Sequence, residues 1–143
     1  MSDQDAALAA LLAAEHAAIY GYGVLGAHLD DRTRELALRA FEAHRSRRNA
    51  LDTAMRARSL TPPTTAPAYD VTVTDRSSAL LLAQRIETDL CVLWRDLVGA
   101  TDDAALRTLA TSGLQASAVQ LVVWRRVAKA VPLVDPLPGL VSP

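Results

Sequence analysis

Apolar positions recur at intervals of three and four along most of the chain, the spacing that gathers side chains on one face of an α-helix. One stripe runs through Leu8, Leu11, Leu12, Ile19, Tyr22, Gly26 and Leu29, and a second through Ala37, Ala40, Phe41, Leu51 and Met55. A third takes in Leu80, Ala83, Leu90, Cys91, Trp94 and Val98, and a fourth Leu106, Ala110, Gly113, Leu121, Trp124 and Ala128. Stop and start signals frame them. Helix 1 is expected from near Asp3 to near Leu29, capped by Ser2 or Asp3, with Asp30 and Asp31 as turn and cap for the next helix. Helix 2 should run from about Arg32 to Ser59 and stop before Pro62 and Pro63, since proline lacks an amide donor and clashes with the preceding turn. Helix 3 should follow a Thr74 or Asp75 cap, continue to Val98 and end at Gly99. Thr101 is expected to cap helix 4, with Asp102 and Asp103 in its first turn and Pro132 closing it.

Loop lengths restrict how these helices are arranged. Helices 1 and 2, and likewise 3 and 4, are joined by very short turns and must be antiparallel. The connection over about 61–75, "TPPTTAPAYDVTVTD", is too proline-rich for helix, with at most a short extended piece at "YDVTV". Roughly 15 residues at about 3.3 Å each reach close to 50 Å, and a helix of about 26 residues is only about 39 Å long. The connection can therefore traverse the bundle and leave helices 2 and 3 parallel; an up-down-up-down bundle with an idle loop is the other arrangement. The domain is read as residues 1–131. Residues 132–143 form a tail with four prolines and several apolar residues, which either lies along the bundle or a partner or is disordered.

Composition agrees with an all-α domain. The 143 residues are 50% hydrophobic, enough for one core, and rich in Ala and Leu rather than β-branched residues. A formal net charge of −1 supplies no basic surplus for phosphate backbones, so no nucleic-acid partner is expected. The single cysteine forms no internal disulfide, and "MSDQDAALAA" lacks the basic and apolar regions of a secretory signal, so the cytoplasm is the expected compartment. Charged residues interrupt each apolar run, and no membrane span is expected.

Polar residues on the inward stripes carry the candidate chemistry. Glu15 falls at the centre of stripe 1, His44 at the centre of stripe 2 with Arg47 and Arg48 at its margins, and Glu87 within stripe 3. Helix 4 has neither Glu nor His, and its inward polar positions are Ser117 and Gln120. A di-iron bundle takes one carboxylate from each of two helices and Glu-x-x-His from each of the other two. Here those two motif slots read Phe41-x-x-His44 and Ser117-x-x-Gln120.

The segments "AEHAAIYGYGVLGAHL", "EAHRSRRNAL", "PAYDV", "RIETDLCVLWRDL" and "SAVQLVVWRRVA" resemble a small ferritin-like family known as a domain of unknown function, the 4439 type. The likeness spans nearly the whole chain. It is carried above all by Glu15, His16, Tyr20, Gly21, Tyr22 and Gly23 and by the run His44 to Arg48, with Asn49 standing where the family pattern has an acid. The resemblance implies a ferritin-like four-helix bundle, which agrees with the one long crossover between helices 2 and 3 that loop length suggests, and it implies no particular activity.

Two buried carboxylates need a compensating charge. One answer is Arg47 or Arg48, which would make Glu15, His44 and Glu87 a salt-bridged core with no cofactor. The other is iron or manganese held by Glu15, His44 and Glu87, with Gln120 as a weak fourth ligand. The first answer makes the chain a non-catalytic module acting through self-association or protein binding, expected to be a homodimer through Ala10, Ala17 and Val24 of helix 1. The second makes it a metal-dependent oxidoreductase or iron-handling protein. A small apolar ligand near Trp94 and Trp124 is a third, weaker reading. His16 is expected on a flank, His28 at the last carbonyls of helix 1, Cys91 in the packing, and Tyr20 against an interface or the long loop. Gly21, Gly23 and Gly26 are expected to let a neighbouring helix or the loop approach.

Overall fold

The computed structural model describes residues 1–140. Four α-helices account for it: α1 (Asp3–Gly26), α2 (Asp31–Ala57), α3 (Arg76–Ala100) and α4 (Ala104–Ala128), with no strand among the described residues. Each begins at a side-chain cap. The Ser2 hydroxyl accepts from the Asp5 amide in a reciprocal capping box, and Asp30, Asp75 and Asp103 accept from the amides of Thr33, Ser78 and Leu106.

Several expected ends shift. α1 stops at Gly26, with Leu29 buried just beyond it, and the carbonyls of Gly26 and Leu29 accept from Arg34 rather than from His28. α2 runs from Asp31 to Ala57, beginning one residue before and ending two before the expected limits. Gly99 does not end α3, which continues to Ala100. Thr101 is the C-cap of α3, and Asp103, whose carboxylate reaches two amides, displaces it as the α4 cap. α4 ends at Ala128, where Lys129 turns left-handed with φ 55, before Pro132 is reached. The "YDVTV" piece is irregular loop.

Contacts at the helix ends establish the topology. Thr101 Oγ1 donates to Gln4 Oε1 at 2.6 Å, so α3 ends where α1 begins and the two are antiparallel. The Arg58–Asp103 ion pair places the end of α2 beside the start of α4. Arg76 pairs with Asp30 at 3.3 Å, bringing the starts of α2 and α3 to one end of the bundle. Helices α2 and α3 are therefore parallel, and the long connection crosses the bundle. Leu60 packs on the core at one end of that connection and Val73 at the other, while Tyr69 meets the ring of Tyr20 between them at 5.4 Å. In cross-section α1 packs on α2 and α3, and α4 packs on α3 and more lightly on α2.

Two apolar clusters fill the interior. Leu8, Leu11, Leu12, Leu51, Met55, Leu90, Trp94, Leu97 and Leu106 occupy one end. Tyr22, Leu25, Leu29, Ala37, Ala40, Leu80 and Trp124 occupy the other. Ala18, Leu25 and Leu97 take the buried places that the stripes assigned to Ile19, Gly26 and Val98. α1 is also apolar enough, by length and composition, to cross a membrane, contrary to expectation; 44% of that window is buried within the bundle, as in a central core helix.

Gly21 and Gly113 mark close approaches. A Cβ on Gly21 would come within 2.8 Å of Ile86 Cδ1, and one on Gly113 would run into the Trp94 indole. Gly23 and Gly26 face open space, so the expectation of close packing fails at both. Beyond Lys129 the described part of the tail folds back on α3 and α4. Asp135 accepts from Arg125 at 3.0 Å, and Gly139, with φ +86, sits so close to the Cys91 carbonyl that a Cβ would lie 2.6 Å from it. The last three tail residues lie outside the described residues.

Candidate functional site

Glu15, His44 and Glu87 converge in the layer between the two apolar clusters, each with 0% of its surface exposed. Each is placed there by helical period: all three lie on inward stripes, near the middle of α1, α2 and α3. His44 uses both ring nitrogens. Nδ1 is 2.7 Å from Glu15 Oε2, and Nε2 is 2.9 Å from Glu87 Oε1. With a carboxylate acceptor on each side, the ring is held as an imidazolium donating both protons. Burial alone would depress the His44 pKa, but the hydrogen bonds and charges of Glu15 and Glu87 outweigh it and raise it from 6.5 to about 9.

Arg47 completes the charge balance. It lies one turn beyond His44, and its Nε donates to Glu15 Oε1 at 3.4 Å while its NH2 group stands 3.2 Å from His44 Nδ1. Glu15 thus lies between two cations, one on each carboxylate oxygen. The guanidinium side chain keeps 17% of its surface in solvent, in the groove between α2 and α4 that Ala43, Gln115 and Gln120 also line. Two carboxylates, one imidazolium and one guanidinium sum to zero, which keeps the desolvation cost of the cluster bearable.

The chain of hydrogen bonds continues to the other helices. Tyr22 Oη donates to Glu87 Oε1 at 2.6 Å, and Trp124 Nε1 donates to Tyr22 Oη at 2.7 Å. The Tyr22 ring also stacks on His44, with centroids 5.0 Å apart. Burial, followed by the neighbouring Glu87 charge, pushes the Tyr22 pKa well above 10.0, so its hydroxyl remains a donor. Arg47, Glu15, His44, Glu87, Tyr22 and Trp124 therefore form one polar path through all four helices.

Other candidates sit apart from this path. Arg48 turns away, its Nε on Asn49 Oδ1 at 2.8 Å, so of the two adjacent arginines only Arg47 serves the core. Gln120 is half-buried in the α2–α4 groove, and Ser117 is wholly buried with its hydroxyl unpaired. His16 lies on a flank near Pro63 of the crossover, where burial first and then Arg48 lower its pKa. Cys91 is buried, and that burial raises its thiol pKa to about 11. Among the described residues no three His, Cys, Asp or Glu side chains are grouped to hold a metal ion. The inward stripes place Tyr22 and Trp124 in the interior, Trp124 beside a possible apolar ligand, but do not show that they join the polar path; the polar tip that each carries is the available signal.

Residues 7–142 match the family model described as a domain of unknown function, DUF4439. The crystal structure of a conserved hypothetical protein, rv2844, from Mycobacterium tuberculosis is similar over 95% of this chain and 97% of that one, with 36% sequence identity and a TM-score of 0.87. No curated protein matches.

Proposed function

The chain belongs to the DUF4439 family, and we propose that it is a non-catalytic module with a ferritin-like arrangement of helices, in which a salt-bridged core stands where such bundles carry metal. One observation carries this reading: His44 commits both ring nitrogens to carboxylates. A metal ligand must offer a ring lone pair, and an imidazolium has none. Arg47 on Glu15 adds a fixed positive charge that opposes a divalent cation. Ser117 and Gln120 on α4 are neutral and poor ligands for iron or manganese. The donor set does not suit a two-metal centre.

Function in this reading resides on the surface, in self-association or in binding another protein. Ala10 is exposed and Ala17 and Val24 half-exposed on α1. Ala17 also lines a cavity of about 640 Å³ with Leu81, Leu82 and Ile86 of α3 and Val71 of the crossover. Sedimentation tests this part: a concentration-dependent dimer is expected, and a strict monomer at high concentration would remove self-association. The cytoplasm remains the proposed compartment.

The convergence of two carboxylates and an imidazole favours a second reading, a metal-dependent oxidoreductase or iron-handling protein using Glu15, His44 and Glu87. Elemental analysis of protein purified without chelator separates the two. Metal-free protein whose melting is unchanged by added iron or manganese is expected; stoichiometric metal lost in Glu87→Ala would overturn the leading reading.

A further inference from the structure

Glu87 Oε1 accepts from both His44 and Tyr22, but Glu87 Oε2 has no protein partner although the residue is completely buried. A carboxylate oxygen left bare in a dry interior is strongly unfavourable, so a hydrogen-bond donor belongs there. On α4 the Ser117 hydroxyl is also fully buried and unpaired. Thr108 and Thr111 on the same helix donate to the carbonyl four residues back, at 2.9 and 2.7 Å, and Ser117 does not.

Register brings the two orphans near one another: Gly113 of α4 lies against the Trp94 indole of α3, and moving away from the turn that joins these helices, Ser117 comes about one turn beyond Gly113 and Glu87 two turns from Trp94. Trp124 lies two turns beyond Ser117 on α4, and helical side chains lean toward the N-terminus, so the Trp124 indole reaches back over the turn that separates them. Its Nε1 meets Tyr22 Oη, which in turn meets Glu87 Oε1. The Glu87 carboxyl therefore lies beside the stretch of α4 between Ser117 and Trp124. Trp94 Nε1 is unpaired as well, but it lies two turns away along α3 itself, above Gly113.

We propose that Glu87 Oε2 and the Ser117 hydroxyl form an internal binding site for a single water molecule that bridges α3 and α4. Charge decides against a cation. Glu15, Glu87, His44 and Arg47 already sum to zero, so the remaining acceptor calls for a neutral donor, and a hydroxyl paired with a carboxylate oxygen suits the donor and acceptor ability of water.

The test combines crystallography with water-oxygen magnetic relaxation dispersion on the full chain. Expected is a density peak without anomalous signal, about 2.6 to 3.2 Å from both Glu87 Oε2 and Ser117 Oγ, retained after chelator treatment. One long-lived internal water should disappear in Ser117→Ala and persist in Ser117→Thr, both folded by circular dichroism. A peak with anomalous signal at about 2.0 to 2.2 Å from Glu87 would overturn the proposal in favour of a metal. So would an interior in which Glu87 Oε2 and Ser117 find protein partners, or an unchanged dispersion profile in Ser117→Ala.

Discussion

His44 Nδ1 and Glu15 Oε2 stand 2.7 Å apart, on neighbouring helices and wholly shielded from solvent. With Glu87 on its other nitrogen, His44 holds its proton until about pH 9, against 6.5 for a free imidazole. A group whose pKa is raised by folding contributes stability that is complete below the unfolded value and is lost as pH rises through the folded one. Stability should therefore fall between about pH 6.5 and 9, by about 3 kcal/mol from this group. Urea unfolding across that range measures it. A His44→Gln variant, less stable at pH 6, should lack this decline; the same slope in both proteins would assign it to other groups.

Removing Glu15 alone should be far worse than removing its charge partnership as a whole. Glu15→Ala leaves His44 and Arg47 close together with only Glu87 to balance them, a loss of about 3 to 5 kcal/mol. Glu15→Leu with Arg47→Met deletes one charge of each sign and fills the space with apolar atoms. The double variant should be more stable than the sum of its single variants predicts, by about 1 to 3 kcal/mol. Denaturant titration of the four proteins checks this, and simple additivity would mean that the pair is not coupled.

Much of this site was readable from helical period, and the reasons for the rest are local. Glu15, His44 and Glu87 fall on inward stripes, and a period of 3.6 places such residues whatever their chemistry. Tyr22 and Trp124 fall there too, but a buried aromatic is silent in sequence about which polar partner its tip will find. Arg47 and Arg48 differ by one step of about 100° and stand on opposite margins of the stripe centred on His44, and the choice between them was settled by packing: one reaches Glu15, the other Asn49. The crossover was legible from loop length. The junction at Thr101 to Asp103 was not, because three potential caps stand in a row: the Thr101 hydroxyl accepts from the Asp103 amide, one step short of the helix, and the Asp103 carboxylate takes the amides of Ala105 and Leu106.

Two glycines should respond in opposite directions. Gly113 lies under the Trp94 indole, with no room for a Cβ, so Gly113→Ala should cost about 1 to 3 kcal/mol through overpacking. Gly23 sits within α1 and faces open space, so Gly23→Ala should stabilise by about 0.5 to 1 kcal/mol. Thermal melts of the two variants test this directly. A stabilised Gly113→Ala would mean that α3 and α4 pack less closely than the structure describes.

The tail packs against the backbone of Cys91 and should control access to its thiol. Gly139 adopts φ +86 against the Cys91 carbonyl and Arg95, a seat that side chains avoid for both conformational and steric reasons. The only ion pair of the tail among the described residues is Arg125 with Asp135. Gly139→Val should therefore lift this segment from α3 and leave the helices, whose contacts with one another are unaffected, in place. Cys91 is 2% exposed, and burial raises its thiol pKa to about 11, so the native protein should react slowly with a disulfide reagent at pH 8. In Gly139→Val that reaction should accelerate about tenfold or more, with the helical circular dichroism signal unchanged. An unaltered rate would show that α3 and α4 shield the thiol without help from the tail.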